Sequence, residues 1–138
     1  MNYLKYLIEE IHTTVVATVD DTGLPVTAAI DMMNYDEDGL CFLTAKGKGF
    51  YDRLKKRGTL ALTGMKGTDT MHCAALSIRG KVRELGGELL PRLFEKNPYM
   101  NEIYPDAASR SALTVFVIYE GIIIYYSEDY AQFQSRIA

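Results

Sequence analysis

The residues best suited to chemistry lie in one short stretch, "TAKGKGFYD", residues 44–52, where two lysines alternate with two glycines. Between residues 46 and 57 there are six cations (Lys46, Lys48, Arg53, Lys55, Lys56, Arg57) against the single anion Asp52, a local balance of +5 in a chain whose net charge is −3. Arg53, Lys55, Lys56 and Arg57 follow a helical pattern and read as a solvated helix face. Lys46 and Lys48 precede the helix, on a turn flanked by glycine. A strand that turns into a helix leaves unpaired amide N–H groups at the helix start. Together with the positive end of the helix dipole and nearby lysines, those amides make a site for an anion. Gly47 and Gly49 let the backbone come close to a ligand or adopt positive φ, and Thr44 adds a hydroxyl. The spacing matches neither a Walker loop nor a complete dinucleotide fingerprint. The turn alone therefore points to a phosphate-bearing ligand and does not name it.

Other reactive side chains are few. His12 and His72 are the only histidines, and Cys41 and Cys73 the only cysteines. Their number and spacing fit no zinc site, and both thiols read as structural. Asp36 and Asp38 lie in a turn without the other ligands or the closing glutamate of a calcium loop. His72, in the polar stretch 65–72, is a tempting proton donor but reads first as a solvent-facing loop histidine.

Bulk properties narrow the class. With 138 residues, 48% hydrophobic and 24% charged, the chain suits one domain, 1–138, with a single core. Its negative charge argues against a general nucleic-acid binder. No apolar run approaches a membrane span, and the N-terminus lacks a signal-peptide pattern, so the expected compartment is the cytoplasm.

The elements that must carry the turn read as follows. Leu4, Leu7, Ile8 and Ile11 make one stripe on a short N-terminal helix. Strands are expected at "TTVVATVD", "VTAAIDMM", "LCFLTA", "TLALTG" and "LSIRGKVREL", with a helix at "FYDRLKKR". Residues 65–73 are expected to be a loop. Residues 87–105 read as helix broken by Pro91, Pro98 and Pro105. "ALTVFVIYE" and "IIIYYS" read as two strands joined at Glu120-Gly121, and the tail after them shows no clear period. This succession of hairpins without βαβ alternation predicts a mainly β fold with short helices, closed as a small antiparallel barrel.

The order of these motifs resembles the pyridoxamine 5′-phosphate oxidase-like, FMN-binding split-barrel family. The likeness runs through "GLPVTAAID", the turn "YDEDG", the strand "LCFLT", the glycine-containing turn, the helix leading to "LALTG", and "SIRGKVREL". It implies a six-stranded antiparallel split β-barrel, a homodimer, and FMN in the clefts between subunits. Matched position by position, it implies that Ala28, Ala29, Ile30 and Asp31 lie along the flavin. It further implies that Leu43 and Thr44 contact it, and that Lys46, Gly47, Lys48, Gly49 and Phe50 form the phosphate turn.

The chain departs from the oxidases in several places. They carry arginine where it has Ala28 and an Arg-Lys pair where it has Gly49 and Phe50, leaving Lys46 and Lys48 to supply the phosphate charge. The C-terminal "SEDYAQFQSRIA" lacks the arginine and histidine that hold the vitamin phosphate. A true pyridoxine-phosphate oxidase is therefore not expected, and the short members related to nitroimidazole-resistance proteins are nearer in length. The resemblance implies a flavin-dependent oxidoreductase acting on a small-molecule redox substrate, with NADH or NADPH as a candidate donor. No catalytic residue is assigned. The alternatives are a non-catalytic flavin-, deazaflavin- or haem-binding split barrel, in which haem would need His12 or His72 as axial ligand, and a barrel that has lost its cofactor.

Overall fold

The computed structural model describes residues 1–127 and 132–137. One antiparallel sheet of eight strands dominates it, with short helices at its ends. The strands are β1 (Thr13–Val19), β2 (Pro25–Asp31), β3 (Asn34–Asp36), β4 (Gly39–Ala45), β5 (Thr59–Asp69), β6 (His72–Gly86), β7 (Leu113–Tyr126) and β8 (Gln132–Ile137). The helices are α1 (Tyr3–Tyr6), which runs into a π-helical turn at Leu7–Ile11, then α2 (Gly49–Arg57), α3 (Leu90–Lys96), α4 (Met100–Ile103) and α5 (Ala107–Arg110).

Seven strands follow the order β2-β1-β5-β6-β7-β4-β3, and β8 pairs with β7 off this path. The ladder does not close, because β2 and β3 at its two ends share no backbone bonds. The expected six-stranded split barrel thus has eight strands and an open seam. The two extra strands are the short β3, formed in the "NYDEDG" turn, and β8 in the tail. Tyr130 and the rest of 128–131, also part of that tail, fall outside the described residues.

Two further expectations change. Glu120-Gly121 is no hairpin turn: β7 runs through it without a break. Gly121 sits opposite Gly80, where a Cβ would fall 2.6 Å from the Arg79 carbonyl oxygen, and one on Gly80 would fall 2.3 Å from that of Glu120. This glycine pair lets β6 and β7 bend at close approach beside a register shift. Beyond the bend β7 exchanges β4 for β8 on its other edge. Residues 65–73 likewise are not a loop. β5 and β6 continue to a tight turn locked by Asp69, which accepts from the Met71 amide at 2.8 Å, the His72 amide at 3.0 Å and His72 Nδ1 at 3.0 Å. Asp36 is similarly a turn cap, accepting from the Asp38 amide at 2.8 Å. Among the described residues no group of histidine, cysteine and carboxylate side chains could hold a metal.

The barrel interior is built from alternate strand residues, as a pleated strand demands. Val16, Leu40, Phe42, Leu62, Leu76, Ile78, Phe116 and Ile118 meet there, and Val82 is buried in the same cluster. Thr14 and Thr18 share that face. Their buried hydroxyls are satisfied, one donating to Ile30 O at 2.9 Å and the other accepting from Arg53 Nε at 2.7 Å. Helix α2 packs Phe50 and Leu54 against this core, with the Phe50 ring tilted toward Phe42 at a centroid distance of 6.0 Å. The helix ends at Gly58 in the left-handed conformation, its amide donating to Leu54 O at 2.8 Å.

A second apolar cluster lies outside the barrel. Cys41, Leu43, Val115 and Val117 face away from the interior and meet Leu93, Phe94 and Met100 of the helical insertion. Strand β4 is consequently buried on both faces, and burial pushes the Cys41 thiol up to about 11, as a structural cysteine requires. Arg110 braces the insertion: Nε donates to Tyr104 O at 2.7 Å, and the guanidinium lies 4.3 Å over the Phe94 ring. Among the described residues no helix is long and apolar enough to cross a membrane.

Candidate functional site

The seam of the sheet is where a site forms. Strand β3 covers β4 only through Asn34↔Cys41, Tyr35↔Leu40 and Asp36↔Gly39, with Met33 N donating to Cys41 O at 2.9 Å just beyond. Past that point the edge of β4 has no strand beside it. Because backbone groups repeat every two residues along a strand, those of Leu43 point the same way as the Cys41 carbonyl, into the gap between β4 and β2.

A cleft of about 280 Å³ occupies this gap. Ala29, Ile30 and Asp31 come from β2, Leu43, Thr44 and Ala45 from β4, and Lys48 from the turn before α2. The helical insertion supplies the remaining wall with Tyr99, Met100, Ile103 and Tyr104. Six of the eleven residues implied by the resemblance are therefore brought together: Ala29, Ile30, Asp31, Leu43, Thr44 and Lys48. Ala28 packs on the barrel core, as Ile30 also does, and does not line the cleft. Phe50 is buried in that core beside Phe42. Lys46, Gly47 and Gly49 are exposed and do not line the cleft.

The cations of the basic stretch divide sharply. Arg57 donates to Asp20 O at 2.6 Å, Lys56 pairs with Asp21 at 2.6 Å, and Lys55 pairs with Glu84 at 3.1 Å. With Arg53 donating to Thr18 Oγ1, the helix cations thus tie α2 to β1, to the β1–β2 turn and to β6. Lys46 and Lys48 form no ion pair among the described residues. Lys48 stands at the N-cap of α2 with extended backbone (φ −93°, ψ 151°) and gives no side-chain cap, so the first amides of α2 have no partner from it. Gly47 holds φ +90°, a conformation that glycine alone adopts without strain, and open space surrounds it. Positive charge, free amides and an unobstructed approach suit an anionic group at this end of the cleft.

The other end is differently made. Asp31 accepts from Thr13 Oγ1 at 2.6 Å and from Tyr99 Oη at 2.8 Å. His12 Nε2 lies 2.6 Å from Tyr99 Oη and 3.5 Å from Asp31 Oδ2. Burial opposes ionisation of Asp31, but the bonds from Thr13 and Tyr99 and the nearby His12 outweigh it and hold the carboxyl below its ordinary value. Burial and the Asp31 carboxylate raise the Tyr99 phenol well above its ordinary value. Tyr99 is positioned by Asn97, which is buried and donates to Met33 O at 3.0 Å and Leu93 O at 2.8 Å. Sequence reasoning missed Tyr99 and gave His12 only the part of a possible haem ligand. The two are 87 residues apart, and no local spacing links them. His72 stands where expected, exposed at the tip of the β5–β6 hairpin.

Residues 3–119 match the pattern of the family described as pyridoxamine 5′-phosphate oxidase. The chain belongs to that family. No curated protein matches it in sequence, but solved structures share its fold. A NimC/NimA family protein from Clostridium acetobutylicum superposes with a TM-score of 0.82 at 14% identity, covering 99% of this chain and 91% of that one. A protein from the same organism related to general stress protein 26 of B. subtilis, of the pyridoxinephosphate oxidase family, gives 0.69 at 20% identity, covering 97% and 96%. A haem-binding protein from Mycobacterium smegmatis gives 0.75 at 11% identity, covering 96% of this chain and 55% of that one. At these identities the likeness establishes the split-barrel fold, which this chain shares with NimC/NimA, pyridoxinephosphate oxidase-family and haem-binding proteins.

Proposed function

We propose that the chain binds FMN in the cleft between β2 and β4 and works as a flavin-dependent oxidoreductase on a small-molecule redox substrate. One observation carries this reading: residues far apart in sequence, Ala29 to Asp31, Leu43, Thr44 and Lys48, converge on one cleft with a cation and free amides at one end and hydrogen-bonding side chains at the other. The donor set fits the cofactor. Lys48 and the first amides of α2 would hold the phosphate, and the unpaired edge of β4 at Leu43 would meet the polar rim of the ring. Bound there, FMN supplies the redox chemistry. The chain's own residues orient it, and the apolar side chains Leu43, Met100 and Ile103 keep water from it.

The reading includes a homodimer. Outside the barrel, β1, β5, β6 and β7 present an apolar face, with Val15 48%, Met65 44% and Tyr126 42% exposed. Two hollows of about 680 and 410 Å³ lie along it. Thr13 lines both the larger hollow and the cleft, so face and cleft are continuous. A second copy seated on the face would wall the open side of the cleft.

The second reading is a haem-binding barrel without turnover, favoured by the fold likeness to haem proteins and by His72. That side chain is 73% exposed and engages Asp69 through Nδ1, which leaves Nε2 facing outward as an axial ligand would. Isolation of whatever co-purifies decides between them. FMN released on denaturation, from a dimer that loses it in Val15→Asp, is the expected result. A Soret band lost in His72→Ala, or a deazaflavin in the extract, would replace the proposal.

A further inference from the structure

The outer face of the sheet carries a hollow whose make-up is the opposite of the cleft's. Strand alternation turns Val15, Thr63 and Ala75 outward, while Thr14, Leu62 and Leu76 beside them are buried. The register then sets Ala75 between two long side chains, Met65 on β5 and Tyr126 on β7. Cross-strand neighbours stand only about 5 Å apart, so a methyl group between them leaves a notch. The β5–β6 hairpin carries the wall onward. Thr70 and Cys73 line its far end, where Cys73 Sγ donates to Thr70 O at 3.6 Å. The hollow measures about 680 Å³, against about 280 Å³ for the cleft.

Its lining is uncharged. No lysine, arginine, histidine, aspartate or glutamate contributes to it. Its threonine hydroxyls are largely spent within the protein: Thr13 donates to Asp31 at 2.6 Å, Thr14 donates to Ile30 O at 2.9 Å, and Thr63 bonds Ser77 at 3.0 Å. Three of the eight exposed large hydrophobic side chains among the described residues, Val15, Met65 and Tyr126, meet here. Scattered singly, such side chains carry no message; gathered into one concavity, they mark a binding surface. A flat protein partner needs no hollow. A small molecule does, and small-molecule sites are mostly apolar concavities of about 300–1,000 Å³.

We propose that this hollow is a second binding site, beside the cleft, for a neutral and largely apolar organic molecule. Met65, unbranched and polarisable, shapes itself to the occupant, and the Tyr126 ring offers an aromatic surface. The same features turn away an anion, whose charge would lose water and meet no cation in return. Thr13 lines both spaces, so an occupant of the hollow lies against the β1 wall of the cleft. A second copy seated on this face roofs the hollow and does not fill it. The inference stands whether or not the cleft holds FMN.

The test uses the full chain and two fluorescent probes with one skeleton: neutral N-phenyl-1-naphthylamine, and 1-anilinonaphthalene-8-sulfonate, which adds a negative charge. Titration should give one saturable site per chain for the neutral probe and binding of the sulfonate weaker by about 10-fold or more. Ala75→Trp, which fills the notch, should cost the neutral probe about 10-fold or more in affinity, with Thr63→Trp as the second filling variant and urea unfolding to show that each is folded. Met65→Arg, which brings a cation to the rim, should shift the preference toward the sulfonate by about 10-fold. Saturating FMN and Lys48→Ala should both leave the neutral probe bound. Equal affinity for the two probes, or a neutral probe unmoved by both filling variants, would overturn the proposal, as would its displacement by FMN. A dimer that binds no probe would also overturn it, showing the hollow filled by the second copy's side chains. Probe binding by a protein that takes up no FMN would remove the flavin reading and leave this site standing.

Discussion

The two ends of the cleft solve opposite problems. At the α2 end, Lys48 and the helix amides are left without partners, and Gly47 clears the approach. At the β2 end every polar group already has one: Thr13, Asp31, Tyr99 and His12 hydrogen-bond one another before any ligand arrives. Unpaired groups of one sign collect an oppositely charged ligand. Saturated groups of alternating role hold a geometry. The difference teaches that charge alone did not mark the site. The helix cations Arg53, Lys55, Lys56 and Arg57 are more numerous than the turn lysines, yet all four are spent on holding α2 in place.

The contrast can be pressed with variants. The largest stability effect should come at the strained end. His12→Gly and His12→Ala both lose the ring, but only glycine relaxes φ 68°, so the glycine variant should be more stable by about 1 kcal/mol in urea unfolding. At an unstrained helix terminus alanine would match or exceed it. Next comes acid. The folded-state value of Asp31 is depressed, so its contribution is present above the ordinary carboxylate value, about 4, and disappears as pH falls through the lower folded value. Asp31→Asn should therefore flatten the acid limb of the stability profile; an identical limb would show that the carboxylate is not held as described. Smallest is the helix. Lys56→Ala should cost under about 1 kcal/mol and leave ligand affinity alone. Lys48→Ala should leave stability alone and cost affinity.

What the sequence disclosed divides along the same line. The basic turn is local, since strand, glycine-spaced lysines and helix are consecutive. The β2 and β4 segments at the cleft were reached through the order of motifs, because alternation shows where strands run. Alternation also misled at Glu120-Gly121, where a glycine reads as a turn but serves a close strand crossing. The stretch 65–73 read as loop because polar residues dominate a hairpin that projects beyond the core. Lys46 and Lys48 look equivalent as letters, and only the backbone at the N-cap turns one toward the cleft. Tyr99 and His12 were illegible together. Their meeting depends on where Asn97 anchors the insertion to Met33, between β2 and β3, a contact that spacing does not encode.

The central claim is that the cleft between β2 and β4 grips a flavin by its phosphate through Lys48. Fluorescence titration with FMN and with riboflavin tests it most directly, in wild type, Lys48→Ala and Lys46→Ala. The account predicts that wild type prefers FMN and that Lys48→Ala loses about 10- to 100-fold in FMN affinity, the worth of a charge-assisted bond. Riboflavin binding should be nearly unchanged by that substitution, and Lys46→Ala should have a much smaller effect. Equal weakening of both ligands in Lys48→Ala, or no binding of FMN by wild type at high micromolar concentration, would contradict it.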